Sequence, residues 1–584
     1  MHKNTFWRLI FLLSVLLTLP INIFAQNSKP QNSQLIVKYK NTPQKIKPSL
    51  SKKLLNIPIT PLDYISKEKN LNLSNLKGLE NMVVYDIKNN KQDQIITELK
   101  KNPNVDFVEE NGIREIMATP YDPYYYNGNY YQWAYKNGFL PMESVWDNQN
   151  ASSSAVLAIL DTGVNINHED LQDRIWINST EVPNNGIDDD QNGYIDDING
   201  WNTYADNNNV MDDFVHGTGV AAVAMATTNN NKGIAGMAWH GKIMVLKINI
   251  SNSGYISISS ELEALNYAAG FSQVRVINMS FGSNGGFSSE AQAIRSLVEN
   301  NHITLIAAAG NDPNKKLTYP ARYPGVIAVG LYNRNGIASS LTSRGAGMDV
   351  VAPGDDIYTA SNNGGYMSLD GTSFAAPYVS GFAMLLAQNN ENLSAGEIAT
   401  NIRTWTSTLD SVNWSQFSGF GGISPLKESL KCNDVQNTIT DATLTNLLEN
   451  NSPIYSDTIN SSQTIDIYGK AYSTAFENYQ ISWADSASPS AWTTEGITLT
   501  SNQSESSERK LASFNLNVLP RDGEYVVKLE VFGDTNCNNG VLGRDNLSLP
   551  IHKVRGFAGR LIDEEGNGIA GNYIPVYDTL DDAP

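Results

Sequence analysis

Cysteine is almost absent from this chain, which has 584 residues and 2 cysteines, Cys432 and Cys537. Two thiols are too few for the disulfide framework of a small secreted scaffold. Two interpretations of the pair stay open, which are one bridge within a single domain and two unpaired thiols. The length of the chain predicts several domains of roughly 100–200 residues, each with its own hydrophobic core.

Basic residues are also scarce relative to acidic ones. The chain has 41 Lys and Arg against 60 Asp and Glu, which gives a formal net charge of −19. This balance excludes nucleic acid as an expected partner, because binding to phosphates requires a basic face. Carboxylates that cluster in sequence are instead suited to a hard cation such as Ca²⁺.

Long apolar runs are missing except at the N-terminus. Residues 9–25 are predominantly apolar, follow Lys3 and Arg8, contain Pro20, and end at a small residue. This length and these flanks predict a cleaved secretory signal peptide at residues 1–25 rather than a membrane span. Since no later segment has the length to cross a bilayer, we expect an exported, soluble protein.

The apolar pattern predicts two regions in the first part of the mature chain. Residues 26–118 contain alternating stretches at 34–40 and 81–87 and a helical pattern between later strands, which predicts a small α+β unit. Residues 119–430 contain nearly all-apolar runs such as "AVLAIL" and "ITLIAAAG", separated by helical patterns. Runs of this kind are typical of parallel strands covered on both faces, so the second region predicts a doubly wound, mostly parallel α/β sheet.

The pattern changes again in the C-terminal part. Residues 431–552 consist of short alternating strands with polar turns, such as "NYQISWA" and "GEYVVKLEVFG", which predicts a β-sandwich. This sandwich is predicted either to dock on the preceding domain, to bind surfaces, or to serve as a spacer. We expect residues 553–584 to be the start of a further β-module, incomplete as given.

Three residues with complementary chemistry lie where the α/β pattern places strand ends and helix starts. Asp161 follows the run "AVLAIL", His216 opens "HGTGVAAVAMAT", and Ser373 precedes a long apolar helix. In open α/β sheets, reactive groups gather beyond the carboxyl ends of the strands. A serine hydroxyl needs a base to take its proton, and an imidazole base needs a carboxylate to fix its tautomer. These residues therefore form a candidate Asp-His-Ser triad.

The segments around these residues resemble a known family. "ILDTGV", "HGTGVAA" and "GTSFAAPYVSG" resemble the Asp, His and Ser motifs of secreted subtilisin-like serine proteases, the subtilases, in the same chain order. A fourth segment, "AAAGND", resembles the one that carries the oxyanion-hole asparagine, here Asn311. Over residues of about 120–430, the resemblance implies a serine endopeptidase that works through an acyl-enzyme and needs no cofactor for catalysis.

Three positions depart from the family pattern: Gly219, Phe374 and Tyr378 replace a second His, a Met and a His that are common there. None supplies a triad group, so the departures concern packing rather than chemistry. An alternative interpretation is a catalytically decayed subtilase-like protein used for binding or adhesion. The presence of Asp161, His216, Ser373 and Asn311 together favours the enzyme.

The resemblance also implies where peptide substrates bind. The segment "NMSFG" resembles the strand that pairs with an extended peptide and lines the first specificity pocket, and "AAAG" would form the opposite wall. The implied substrate-binding residues are Ser280, Phe281, Gly282, Ala308, Ala309 and Gly310. Asp212 and Asp312 favour basic substrate residues in one interpretation and are solvated loop acids in the other.

The leading unit acquires a role from the same resemblance. Its segment "NPNVDFVEENGIREI" resembles the end of a subtilase propeptide, which implies that residues 26–118 act as a folding aid and an inhibitor of the chain's own cleft. We expect the maturation junction near residues 117–120.

An acidic loop, "NGIDDDQNGYIDD", lies between the candidate catalytic acid and base. Its oxygen spacing fits calcium, but the flanks lack the helices of an EF-hand and Asn199 stands where a bidentate Glu would be required. We therefore predict a structural Ca²⁺ site rather than a calcium sensor, and a plain acidic surface turn is the alternative. The predicted ligands are Asp188, Asp190, Asn192, Asp196 and the Tyr194 carbonyl.

Overall fold

The computed structural model describes the chain in segments. These are residues 34–40, 65–70, 82–87, 92–110, 120–126, 131–135, 139–146, 154–338, 340–407, 409, 414–425, 440–449, 452–453, 464–487, 489, 491–520, 523–533 and 541–551. The predicted signal peptide, Cys432, Cys537, residues 117–119 and the predicted module at 553–584 lie outside them. The chain divides into two compact units, Met1–Ile116 and Met117–Pro584.

The first unit contains a four-stranded antiparallel sheet in the order β2-β3-β1-β4. Leu35, Val37, Val83 and Ile95 are among the side chains of its core, which one helix shares with the sheet. The elements are β1 (Gln34–Tyr39), β2 (Ile65–Asn70), β3 (Met82–Ile87), α1 (Gln92–Lys100) and β4 (Val105–Glu110).

The second unit is built on a nine-stranded sheet in the order β14-β15-β11-β10-β9-β8-β5-β7-β6. All its pairings are parallel except the terminal β14–β15 pair. The mostly parallel sheet that the sequence predicts is therefore present. Its strands are β5 (Val156–Asp161), β6 (Gly200–Asn202), β7 (Lys242–Lys247), β8 (Val274–Met279), β9 (Thr304–Ala308), β10 (Val326–Tyr332), β11 (Val350–Pro353), β14 (Thr406–Ser407) and β15 (Gly422–Ile423).

Helices cover both faces of this sheet, which explains why central strands such as β5, β9 and β10 are almost entirely apolar. Successive residues of β5 point to opposite faces, so Leu157 and Ile159 join one core while Val156, Ala158 and Leu160 join the other. The first core contains α4 (His216–Met225), α7 (Thr372–Asn389) and α8 (Ala395–Thr404), and the second contains α5 (Ile258–Ala269) and α6 (Ser288–Glu299). Short helices α2 (Pro123–Tyr126) and α3 (Glu143–Trp146) and a hairpin of β12 (Ile357–Ala360) and β13 (Tyr366–Leu369) complete the layer structure.

The order in which successive strands are added to the sheet reverses at β5: β7 lies on one side of it and β8 on the other. Such a switch point opens a crevice at the carboxyl ends of the strands. Asp161 is the last residue of β5, Ser280 directly follows β8, and Asn311 lies shortly after β9. The topology therefore gathers three of the predicted site residues along one edge.

Two antiparallel sheets follow in the C-terminal part and share one hydrophobic core. One contains β16 (Thr440–Glu449), β17 (Ser452–Pro453), β18 (Thr464–Ser473), β20 (Ile497–Leu499) and β21 (Glu505–Asn515), and the other contains β19 (Phe476–Asp485), β22 (Gly523–Gly533) and β23 (Val541–Ile551).

These C-terminal sheets dock on the α/β domain. Ala484 and Val526 belong to the same core cluster as α5 and α6. Arg403 of α8, whose side chain is 2% exposed, forms ion pairs with Asp349 at 2.8 Å and with Asp545 of β23 at 3.2 Å. Of the roles left open by the sequence, docking is the one that these contacts favour. No helix among the described residues is long and apolar enough to span a membrane.

Candidate active site

Asp161 and His216 form a hydrogen-bonded pair in the crevice at β5. Asp161 is 3% exposed, and its Oδ1 lies 2.8 Å from Nδ1 of His216, the first residue of α4. The backbone N–H of Thr162 donates to the same oxygen at 2.7 Å. Because Nδ1 is held by the carboxylate, Nε2 of the imidazole is the nitrogen left to exchange a proton.

The start of α4 is fixed by Asp212, whose carboxylate is buried. It accepts hydrogen bonds from the backbone N–H groups of Phe214, Val215 and Thr218, each at 3.0 Å, and from the hydroxyls of Thr162 and Thr218. Val215 has φ of 84°, a left-handed conformation that this set of bonds stabilises. Asp212 therefore positions the histidine, and it does not present a charge to basic substrate residues.

The surroundings of His216 favour its charged form. Burial lowers the pKa of the imidazole, but the charge and hydrogen bond of Asp161 and the charge of Asp212 outweigh it, so the pKa lies above the usual 6.5. A raised pKa makes the imidazole a stronger proton acceptor.

Ser373 is the second residue of α7 and lies next to Phe374, whose ring centroid is 5.3 Å from that of His216. The Ser373 hydroxyl donates to the carbonyl oxygen of Ser280 at 3.0 Å, and the Ser280 hydroxyl donates to the Ser373 carbonyl oxygen at 2.8 Å. Within the described residues there is no hydrogen bond between Ser373 and His216. In free enzymes, such bonds often form only when the substrate is bound.

Asn311 is held from behind by Thr372, the residue before the serine. Its Oδ1 accepts hydrogen bonds from the Thr372 backbone N–H and hydroxyl, both at 2.8 Å. The Nδ2 donor is therefore the end of the amide that is left to meet a substrate. Gly371 has φ of 132°, and a Cβ there would lie 3.1 Å from this Nδ2, so glycine keeps the donor clear.

The three departures from the family pattern are explained by packing. A Cβ on Gly219 would lie 3.0 Å from Cγ2 of Thr359 and 3.2 Å from the ring of Phe374. The large Phe374 therefore occupies the space that a side chain at position 219 would need. Tyr378 is buried and packs edge-on against Tyr135 at 5.8 Å.

Only some of the residues predicted to bind substrate line a cavity beside Asp161 and His216. Ser280, Phe281 and Gly282 line a cavity of about 450 Å³ together with Asp161 and His216. Of the opposite wall, Ala308 and Ala309 are buried, and Gly310 is partly exposed. The Ala309 backbone is engaged by Val329 and Thr318, so its role in the structure is to hold the wall rather than to face the cavity.

Two acidic residues of the same cavity have no counterpart in the sequence prediction. Glu261 and Glu290 line it, and each is 2% exposed. Each lies in the first turn of a helix, where an acidic residue is common. The sequence therefore offered no signal that separates these two from ordinary helix-start acids.

The acidic loop brings together two of its five predicted ligands and one residue that the prediction missed. Carboxylate oxygens of Glu181, Asp188 and Asp190 lie within 4.8 Å of one another. Glu181 precedes the loop, and its carboxylate also accepts backbone N–H groups from residues 189, 190 and 196.

The other predicted ligands have partners within the loop. The Asp196 carboxylate accepts the backbone N–H groups of Asn185 and Gly186 at 3.0 and 2.9 Å. The Asn192 side-chain oxygen accepts the Tyr194 N–H at 2.8 Å, and the Tyr194 ring packs 4.8 Å from Tyr267. These contacts give Asp196 and Asn192 a role in shaping the loop.

Comparisons with known proteins identify relatives of the α/β domain. The model of the subtilase family matches residues 152–421. The chain is 34% identical to a thermitase of Thermoactinomyces vulgaris over 285 residues, which is 49% of this chain and 89% of the relative. It is 33% identical to a thermophilic serine proteinase of Bacillus sp. (strain AK1) over 51% of this chain and 67% of the relative. It is 32% identical to subtilisin Savinase of Lederbergia lenta over 46% of this chain and 88% of the relative.

Proposed function

The chain belongs to the subtilase family and is a serine-type endopeptidase, and from this premise we propose that Asp161, His216 and Ser373 form its catalytic triad. The observation that carries the proposal is the 2.8 Å bond between His216 Nδ1 and Asp161, which leaves Nε2 to act on the serine. Phe374, in ring contact with His216, is the neighbour of Ser373 in the chain.

In the proposed mechanism, the Ser373 hydroxyl leaves the Ser280 carbonyl and turns to His216 Nε2. The imidazole takes the hydroxyl proton as Oγ attacks the carbonyl carbon of the peptide bond, and it then gives that proton to the departing amine. The resulting acyl-enzyme is hydrolysed by water, which His216 activates in the same way. Asp161 stays ionised and stabilises the imidazolium.

The oxyanion of each tetrahedral intermediate is proposed to accept hydrogen bonds from Asn311 Nδ2 and the Ser373 backbone N–H. The Thr372 contacts support this role because they fix the amide before the reaction begins. Loss of one such donor costs roughly 10²–10³ in kcat, a value that was obtained on a subtilisin. The substrate is proposed to be an extended peptide that pairs with residues 280–282 and passes Gly310.

We propose in addition that the protein is secreted and is made as a zymogen. The apolar stretch at residues 9–25 supports export, and the propeptide-like segment before residues 117–120 supports inhibition by the leading unit, residues 26–118. Domain boundaries near 119–430 and 431–552 remain part of this proposal.

A structural Ca²⁺ ion is proposed at the acidic loop, held by Glu181, Asp188 and Asp190. Their oxygens fit a hard cation because three carboxylates this close repel one another without one. Asn192, Asp196 and the Tyr194 carbonyl are proposed to complete or support the site. The ion would stabilise the loop between the catalytic acid and base, and catalysis itself needs no cofactor.

A fluorophosphonate probe tests the catalytic assignment. The matured protein should be labelled at Ser373 and should hydrolyse peptides, and Ser373→Ala should abolish both. Ser289→Ala, an exposed serine at the start of α6, is the matched control and should behave as wild type. Absence of labelling in a folded, matured protein would instead support a decayed binding or adhesion protein.

A further inference from the structure

The cavity beside the proposed triad has both polar and apolar lining residues. Asp161 and His216 line it, and Ile256, Phe281 and Tyr319 contribute apolar side chains to the same space of about 450 Å³. This volume is large enough for a long side chain of a bound peptide.

Two carboxyl groups, Glu261 and Glu290, also line this cavity and are almost completely removed from solvent, each residue being 2% exposed. Glu290 Oε2 accepts the Tyr323 hydroxyl at 2.8 Å. Among the described residues, Glu261 Oε1 has no hydrogen-bond partner. A buried carboxyl oxygen without a partner is unfavourable, and no cation of the described chain is paired with either glutamate.

Burial and, after it, the charge of Glu290 raise the pKa of Glu261 well above its usual range. Glu261 therefore keeps its proton when the cavity is free of ligand. A cation that entered the cavity would favour the ionised form of Glu261 and would supply the missing donor.

A purely structural role explains the pair less well. An acidic residue in the first turn of a helix interacts favourably with the helix dipole from an exposed position. Burial of both acids against each other adds an energetic cost that helix stabilisation does not require. Binding of a cationic ligand in the cavity that they share with His216 would offset this cost.

Building on the proposed function, we propose that Glu261 and Glu290 select peptide substrates with a basic side chain, Arg or Lys, before the cleaved bond. A peptide that pairs with residues 280–282 as a strand points alternate side chains to the same face. The wall at Ala308 to Gly310, which the resemblance assigns to the first specificity pocket, does not line this cavity. The first and third side chains before the cleaved bond therefore face away from the cavity, and we assign the basic residue to the second or fourth position.

The test uses quenched fluorescent peptides that differ at one position only. Two series place Arg, Lys, Gln, Met or Glu at the second or at the fourth position before the cleaved bond. Residues 111–117 of the chain, NGIREIM, supply a further peptide, in which Arg114 is the fourth residue counted back from Met117. Its partner peptide carries Gln in place of the arginine.

The expected result is a kcat/KM for Arg or Lys that exceeds that for Gln by roughly 10- to 100-fold at one of the two positions, the range of one charge-assisted hydrogen bond. Glu261→Gln and Glu290→Gln should each reduce this ratio to near one. Glu263→Gln, on the same helix as Glu261 but outside the cavity lining, should keep the wild-type ratio.

Two results would overturn this inference without affecting the proposed function. One is equal hydrolysis of all peptides by the wild type, and the other is a basic preference that persists in both glutamine variants. In either case the fluorophosphonate still labels Ser373. If no variant is labelled and no peptide is cleaved, the proposed function fails, and the inference falls with it.

Discussion

The contact between Thr372 and Asn311 predicts a measurable coupling in catalysis. Thr372→Val removes the hydroxyl that donates to Asn311 Oδ1 at 2.8 Å but keeps the backbone N–H bond to the same oxygen. The amide is then held by one hydrogen bond instead of two. A neutral hydrogen bond is worth about 1 kcal/mol, which corresponds to about a fivefold change in rate. We therefore expect kcat to fall about fivefold with KM unchanged.

A double-mutant cycle separates this effect from a general disturbance of the site. Asn311→Ala alone should reduce kcat by roughly 10²–10³, and adding Thr372→Val should cause no further loss, because the threonine acts through the amide. Thr372→Ser retains the hydroxyl and should restore most of the rate.

The assay is steady-state hydrolysis of one peptide by matured enzyme, with the active fraction counted by fluorophosphonate labelling. Thr372 Oγ1 also accepts the Gly310 N–H at 3.2 Å, so thermal unfolding should be followed in parallel. A fivefold loss of kcat in both the wild-type and the Asn311→Ala background would refute the positioning role of Thr372.

Three further predictions follow from the site and its support. Because the pKa of His216 is raised above 6.5, the imidazole is protonated and inactive at lower pH, so kcat/KM should rise with pH through a midpoint above 6.5; a lower midpoint contradicts the geometry. Chelation of calcium should lower the melting temperature of the matured protein, and Glu181→Gln should reduce the size of that decrease. A melting temperature that does not depend on calcium would contradict the proposed Ca²⁺ site. Arg403→Met leaves Asp349 and Asp545 without their buried cation and should cost about 3–5 kcal/mol of unfolding free energy, measured by denaturant titration. Lys315→Met, at the exposed pair with Asp312, should cost less than about 1 kcal/mol; an equal cost for the two variants would contradict the role of burial.

Local patterns made much of the α/β domain predictable. A parallel strand covered on both faces must be apolar along its whole length. Short, uninterrupted apolar runs such as "AVLAIL" and "GVIAVG" therefore predict such strands directly. The family and the endopeptidase activity were likewise predicted from segments of 6 to 11 letters, and the comparisons confirm both. Asp161 and Ser373 each lie within one short segment that resembles a family motif, so both residues could be identified without knowledge of long-range contacts.

The residues that the prediction missed belong to long-range contacts. Glu181 joins Asp188 and Asp190 only because the loop folds back on itself. The sequence predicted that Asp212 is either a solvated loop acid or a determinant of substrate charge. In the structure it is buried, and its carboxylate accepts five hydrogen bonds around the start of α4. Which loop carboxylates accept hydrogen bonds from backbone N–H groups depends on how the loops fold, and a single sequence does not show this.

The sequence by itself determined the enzyme class, the mostly parallel sheet and the identity of the candidate triad, because each depends on short stretches whose chemistry or periodicity is visible in the letters. Only the tertiary structure decided what surrounds that triad. Packing of α5 beside α6 brought Glu261 and Glu290 into one cavity, and the docking of β23 on α8 buried Arg403. Burial, which converts an ordinary carboxylate into a recognition group or a structural ion pair, is a property of the assembled layers and of no single segment.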